Sequence, residues 1–191
     1  SSLNGTTGFR LDGVSNVDLS GISVASAGDV NGDGFADLII GALYADPNGT
    51  DSGASYVVFG KAFGFASSIN LSSLAGTNGF KLSGVASGDN SGNSVASAGD
   101  VNGDGYADLI IGAYTADSNG IDSGSSYVYF SPATGGALYR GTTLADRLSG
   151  TTTGDTINGY SGNDTLNGNA GDDTITAGTG NDTITGGTGN D

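Results

Sequence analysis

Asp29, Asn31, Asp33 and Asp37 stand at positions 1, 3, 5 and 9 of the segment DVNGDGFAD, and Asp100, Asn102, Asp104 and Asp108 repeat the arrangement in DVNGDGYAD. Oxygen-bearing side chains at alternate positions of a loop can point at one centre, and Gly32, Gly34 and their counterparts allow the sharp bends this needs. With the carbonyl of Phe35 or Tyr106 at position 7, each loop offers the six or more hard oxygen ligands that calcium prefers. Three carboxylates drawn into one loop repel one another without a cation, so calcium is expected to stabilise the fold itself. A single Asp-Gly turn would do no more than cap a hairpin. Two copies that keep every ligand-bearing residue argue for a metal site. Position 12 is Ile40 or Ile111 where an EF-hand has Glu, and strand-like runs flank the loops, which excludes an EF-hand.

A second series of aspartates recurs with a period of nine: Asp146, Asp155, Asp164, Asp173, Asp182 and Asp191. Leu148, Ile157, Leu166, Ile175 and Ile184 each follow an Asp by two residues. A disordered Gly/Asn/Thr linker would not hold a large aliphatic residue in register over five consecutive periods, so an ordered repeat is expected. The later segments, GYSGNDTLN, GNAGDDTIT, AGTGNDTIT and GGTGND, carry glycine at their fourth position, whereas the segments starting at Gly141 and Gly150 do not. Those first two keep the Asp and the aliphatic residue but not that glycine.

The elements that must position the first pair of loops come from a longer repeat. Residues 5–59 match residues 76–130 at a gapless offset of 71, with SVASAGDVNGDGFADLIIGA answered by SVASAGDVNGDGYADLIIGA. Within each copy the apolar residues come in short bursts separated by Gly, Asn and Asp: Ser23 to Ala27, Ala36 to Ala42, Ser55 to Phe59 and Gly79 to Val85 in the first cycle. Four short antiparallel strands per repeat predict a propeller blade. Composition agrees: all 20 acidic residues are Asp, 37 residues are Gly, and there is no Glu, Gln or Met, so good helix formers are scarce while turn and strand formers abound.

The repeated loop with its following strand DLIIGA resembles the FG-GAP repeat of integrin α-chain propellers. Two features depart from that pattern: Ser20-Gly21 and Ser91-Gly92 stand where Phe-Gly is expected, and Leu43 or Tyr114 stands where the Pro of Gly-Ala-Pro would be. Neither is at a ligand position. The nine-residue series resembles the RTX calcium-binding repeat, whose pattern is GGxGxDxUx, of proteins exported by type I secretion. That resemblance implies a β-roll with two repeats per coil and calcium between stacked turns, bound by backbone carbonyls and Asp side chains. Carried onto this sequence, the ligands are Asp155, Gly162, Asp164, Gly171, Asp173, Gly180, Asp182, Gly189 and Asp191, with Asp164 stacked on Asp182, and Asp155, Asp173 and Asp191 aligned on the other flank.

The expected architecture is thus all-β: two integrin-like propeller blades in an incomplete ring within residues 1–131 (copies at about 5–60 and 76–131), a linker at 132–140, and a parallel β-roll at 141–191. The roll stops just after an Asp without a polar cap, which suggests a longer chain. Two blades cannot close a ring, and the segment from Gly8 to Val14, similar to Gly79 to Val85, reads as the outer strand of a missing blade. Either preceding blades complete the ring, or that strand is donated head-to-tail to a neighbouring copy and builds a filament.

The function expected is that of a secreted or cell-surface bacterial protein, an adhesin, surface-layer or matrix component, rigidified by calcium and binding other protein subunits or cell-surface glycans. A net charge of −15 disfavours nucleic acid and anionic membranes, and no apolar run is long enough to span a bilayer. No Cys or His is available for nucleophilic or zinc chemistry, so the chain is read as non-enzymatic. Asp12 and Asp18 lie outside the ligand patterns and read as lacking any repeated or buried context. Two alternatives stand beside this: the non-catalytic part of a secreted RTX enzyme, and a carbohydrate-binding module using Tyr44, Tyr114 or Tyr129.

Overall fold

A computed structural model of the chain describes residues 3–131 and 138–191. These divide into two compact units: one holds the long repeats apart from Asn31–Asp33 and Asn102–Tyr106, and the other holds those two loop tips and the nonapeptide series.

In the first unit the strands are β1 (Arg10–Asp12), β2 (Ser23–Gly28), β3 (Asp37–Ala42), β4 (Ala54–Val58), β5 (Ser68–Asn70), β6 (Gly79–Ser83), β7 (Ser94–Gly99), β8 (Asp108–Ala113) and β9 (Ser125–Tyr129), with one 3-10 turn at Leu71–Ser73. The first blade is the antiparallel sheet β2-β3-β4-β6, and the second is β7-β8-β9. The four bursts expected for the first blade are its four strands. Each β2–β3 type hairpin bulges just before the loop, at Ser26/Gly28 and Ser97/Gly99. Gly28 and Gly99 have φ of 77° and 70°, a left-handed conformation that glycine adopts without steric cost. The bulge sets Gly28 opposite Asp37, so the loop from Asp29 to Asp37 springs from a fixed base.

The two blades stack face to face. Ala27, Val30, Ile39 and Val57 of the first share a core with Val95, Leu109 and Ile111 of the second. Burying each of the larger side chains stabilises the stack by roughly 1.5–3 kcal/mol. The opposite face of the first blade, around Ile40, Tyr56 and Val58, is covered by Leu11, Ile69, Leu71 and Leu74. This accounts for a departure from expectation: β1 is not a spare outer strand but pairs in parallel with β5. The edge of β4 that such a strand would occupy is already filled by β6, and Leu11 finds its apolar cover beside Ile69 instead.

In the second unit β10 (Leu138–Arg140), β11 (Arg147–Ser149), β12 (Thr156–Asn158), β13 (Thr165–Ala170), β14 (Thr174–Thr176) and β15 (Thr183–Thr188) form two parallel sheets, β10-β12-β14 and β11-β13-β15. Ile157 pairs with Ile175 and Leu166 with Ile184, so like positions stack every 18 residues and two nonapeptides make one coil. This is the parallel β-roll. Ile157 and Leu166 are fully buried in its narrow interior. Its first strand begins at Leu138, inside the stretch read as linker, and residues 132–137 of that stretch lie outside the described residues.

Candidate calcium sites

In the first blade loop Asp37 is fully buried and receives two backbone N–H groups, Val30 on Oδ2 at 2.9 Å and Gly60 on Oδ1 at 2.7 Å. Asp108, equally buried, receives Val101 N–H at 2.8 Å. These aspartates therefore tie the end of the loop to its start, which is one reason a buried carboxylate is tolerated there. Asp29 accepts the N–H of Gly34 at 2.9 Å. Asn31 and Asp33 pair with each other, Nδ2 to Oδ2 at 2.9 Å and the Asp33 N–H to Asn31 Oδ1 at 3.0 Å. Asn102 and Asp104 repeat this at 2.8 and 3.0 Å, and Tyr106 adds its N–H to Asp104 Oδ1 at 2.9 Å. Phe35 is exposed and Tyr106 buried, so the two loops are alike in sequence but not in surroundings.

Among the described residues no three acidic side chains stand in one group that could hold an ion. In the blade loops the oxygen-bearing side chains are joined in pairs and to backbone amides.

The roll presents a ladder. The Asp146 N–H donates to Asp164 Oδ1 at 2.9 Å, Asp155 to Asp173 at 2.7 Å, Asp164 to Asp182 at 2.9 Å and Asp173 to Asp191 at 3.1 Å. Both expected flanks, Asp164 with Asp182 and Asp155 with Asp173 and Asp191, are thus brought together. A methyl group on Gly180 would overlap the carbonyl of Gly162, and one on Gly189 that of Gly171. At these fourth positions the backbones of successive coils touch, and only glycine fits. Gly159 and Gly168 likewise leave room for the Oδ2 atoms of Asp164 and Asp173.

Those two atoms decide the fit to calcium. Asp164 Oδ2 and Asp173 Oδ2 are buried and receive no hydrogen bond, in residues 1% and 4% exposed. A buried carboxylate oxygen without a donor costs several kcal/mol unless a cation offsets it. The chain has neither sulfur nor imidazole and so offers a cation carboxylate, amide, hydroxyl and carbonyl oxygens, which matches a hard divalent ion. The residues fit calcium.

Two readings of single residues change. Asp18 is buried and accepts the Ser15 N–H at 3.2 Å, and its counterpart one repeat on, Asp89, is buried and accepts the Ala86 N–H at 2.9 Å. Asp18 therefore does have a repeated, buried context, as a turn-forming residue, and the offset of 71 already placed it over Asp89. Tyr129 packs its ring 5.5 Å from that of Phe80, and burial raises its hydroxyl pKa, so it serves the blade stack. Tyr44 and Tyr114 remain exposed.

An all-β chain with blade loops and a roll of this chemistry is a calcium-binding repeat protein. The sequence matches the FG-GAP repeat at residues 20–58 and 91–129, and the RTX calcium-binding nonapeptide repeat at residues 140–175 and 158–191. The chain therefore carries two FG-GAP repeats followed by RTX repeats, and RTX repeats bind calcium. It is 30% identical over 122 residues, 59% of its length, to integrin alpha-PS2 of Drosophila melanogaster, and spans 8% of that relative. Repeats of both kinds belong to extracellular or secreted families and are typically non-catalytic. No helix among the described residues is long and apolar enough to cross a membrane.

Proposed function

We propose that this chain is a non-enzymatic structural or adhesion protein that works outside the cell, where calcium completes its fold. The single observation that carries the reading is the pair of buried, undonated oxygens on Asp164 and Asp173. At low calcium the like charges along the ladder repel and the roll stays open. At the millimolar calcium of an extracellular medium the ions bind the folded state alone and pull the equilibrium toward it. Export of an unfolded chain followed by folding outside fits this behaviour.

The nine-residue blade loops each take a further calcium in this reading, through Asp29, Asn31, Asp33, Phe35 and Asp37 and through Asp100, Asn102, Asp104, Tyr106 and Asp108. The support is the all-oxygen ligand series and the FG-GAP match; binding requires the Asn–Asp pairs at the loop tips to open toward the ion. Partners are other protein subunits or glycans. Head-to-tail assembly is supported by the second blade, whose outer face leaves Ile110 and Val128 exposed and uncovered among the described residues.

Limited proteolysis tests the proposal. In excess chelator the nonapeptide region should be cut rapidly, and millimolar calcium should suppress those cuts about tenfold or more. Equal digestion in both conditions would refute it.

A further inference from the structure

The aspartates of the roll fall into two sets. In the first, the residue four positions earlier is threonine. Asp146 Oδ2 receives the Thr142 N–H at 2.7 Å and the Thr142 hydroxyl at 3.0 Å, and Asp155 Oδ2 receives the Thr151 N–H at 2.5 Å and hydroxyl at 3.1 Å. Thr142 Oγ1 accepts the Leu144 N–H at 3.1 Å and Thr151 Oγ1 the Thr153 N–H at 3.3 Å. The Thr153 hydroxyl lies 3.0 Å from Thr151 Oγ1 and can donate to it, so each threonine hydroxyl can keep its proton for the carboxylate.

In the second set the residue four positions earlier is Tyr160 for Asp164 and Asn169 for Asp173. Their N–H groups turn away to Asn158 Oδ1 at 3.1 Å and Asn167 Oδ1 at 3.3 Å, and the two Oδ2 atoms are left buried without a donor. The backbone divides the repeats in the same way. Tyr160, Asn169, Gly178 and Gly187 have φ of 65°, 74°, 95° and 117°, whereas Thr142 and Thr151 are not among the positive-φ residues. A β-branched residue strongly resists the left-handed region. Threonine therefore holds the turn in the conformation that points both donors at the aspartate.

We propose that Thr142 and Thr151 take the place of calcium in the first coil of the roll. Asp146 and Asp155 are latched by hydrogen bonds and need no ion of their own, while Asp164 and Asp173 require one. The proposal rests on the reading of the roll as a calcium binder, and it takes Asp155 out of the ligand set expected from the repeat pattern. The latched coil gives the ion-dependent coils a formed surface to stack on, through the Asp146 to Asp164 and Asp155 to Asp173 bonds.

Calcium stoichiometry of the whole chain, measured by titration calorimetry on charge-neutralised variants, tests this. Asp155→Asn and Asp146→Asn should bind as many ions as the parent chain, whereas Asp164→Asn and Asp173→Asn should each bind about one fewer. Loss of an ion in Asp155→Asn or Asp146→Asn, equal to that in Asp173→Asn, would overturn the latch. Unchanged stoichiometry in both Asp164→Asn and Asp173→Asn would instead refute calcium binding by the roll. A gain-of-function variant guards against misfolding of the Asn variants: Thr151→Gly/Thr153→Gly restores the glycines of the later repeats and should add about one ion. No added ion in a variant that keeps its β signal would also overturn the latch.

Discussion

An aspartate in this chain is stable only where its oxygens are supplied with donors or a cation, and the residues around each one decide which. Asp37 is supplied by two amides, Asp146 and Asp155 by threonine, and Asp12 by Arg10 in an exposed ion pair at 2.6 Å. Asp164 Oδ2 and Asp173 Oδ2 are buried without a donor, a deficit that the proposed calcium would offset. In the blade loops Asp33→Ala and Asp104→Ala each remove a ligand and a charge, and calcium affinity of one site should fall about tenfold or more, roughly 1.4 kcal/mol, in a calorimetric titration. Asp12→Ala should leave binding unchanged, and equal effects from all three would refute the loop assignment. The ladder was legible in the sequence because the period of nine fixes which aspartates stack. The threonine latch was not, because it depends on the φ of Thr142 and Thr151, and spacing carries no φ.

At the scale of elements, equal sequence does not give equal burial. Ile39 and Val57 are fully buried between the blades, but Ile110 and Val128, one repeat later, are 38% and 45% exposed, because in the described residues no third blade covers them. Ile39→Ala should cost about 2–5 kcal/mol in a denaturant titration, and Ile110→Ala about half of that or less. The same exposed face is where head-to-tail assembly would form. Ile110→Asp should keep the blade fold and lower the scattering mass of the calcium-loaded chain, and an Ile110→Ala as costly as Ile39→Ala would contradict the one-sided stack. The blade strands were readable from apolar bursts and turn residues. The pairing of β1 with β5 was not, since GFRLDGV and GFKLSGV look interchangeable until the contacts of Leu11 and Leu82 are seen on different faces of the first blade.

For the whole molecule, calcium is proposed to complete both kinds of repeat, but the two would lean on it to different degrees. The blade unit has a packed core between its sheets, whereas the roll has one file of aliphatic side chains on each of its two sheets, and among the described residues Ile157 and Leu166 are the ones fully enclosed. Calcium loss should therefore open the roll before it loosens the blades. A ligand that binds only the folded state adds about 2.7 kcal/mol when its free concentration is a hundredfold above Kd, enough to decide whether so small a unit is folded. The most direct test is far-ultraviolet circular dichroism of the chain titrated from excess chelator into millimolar calcium. A cooperative gain of β signal is expected as calcium is added, reversed by chelator. A spectrum that is the same in chelator and in calcium would contradict the claim that calcium is a structural part of this protein.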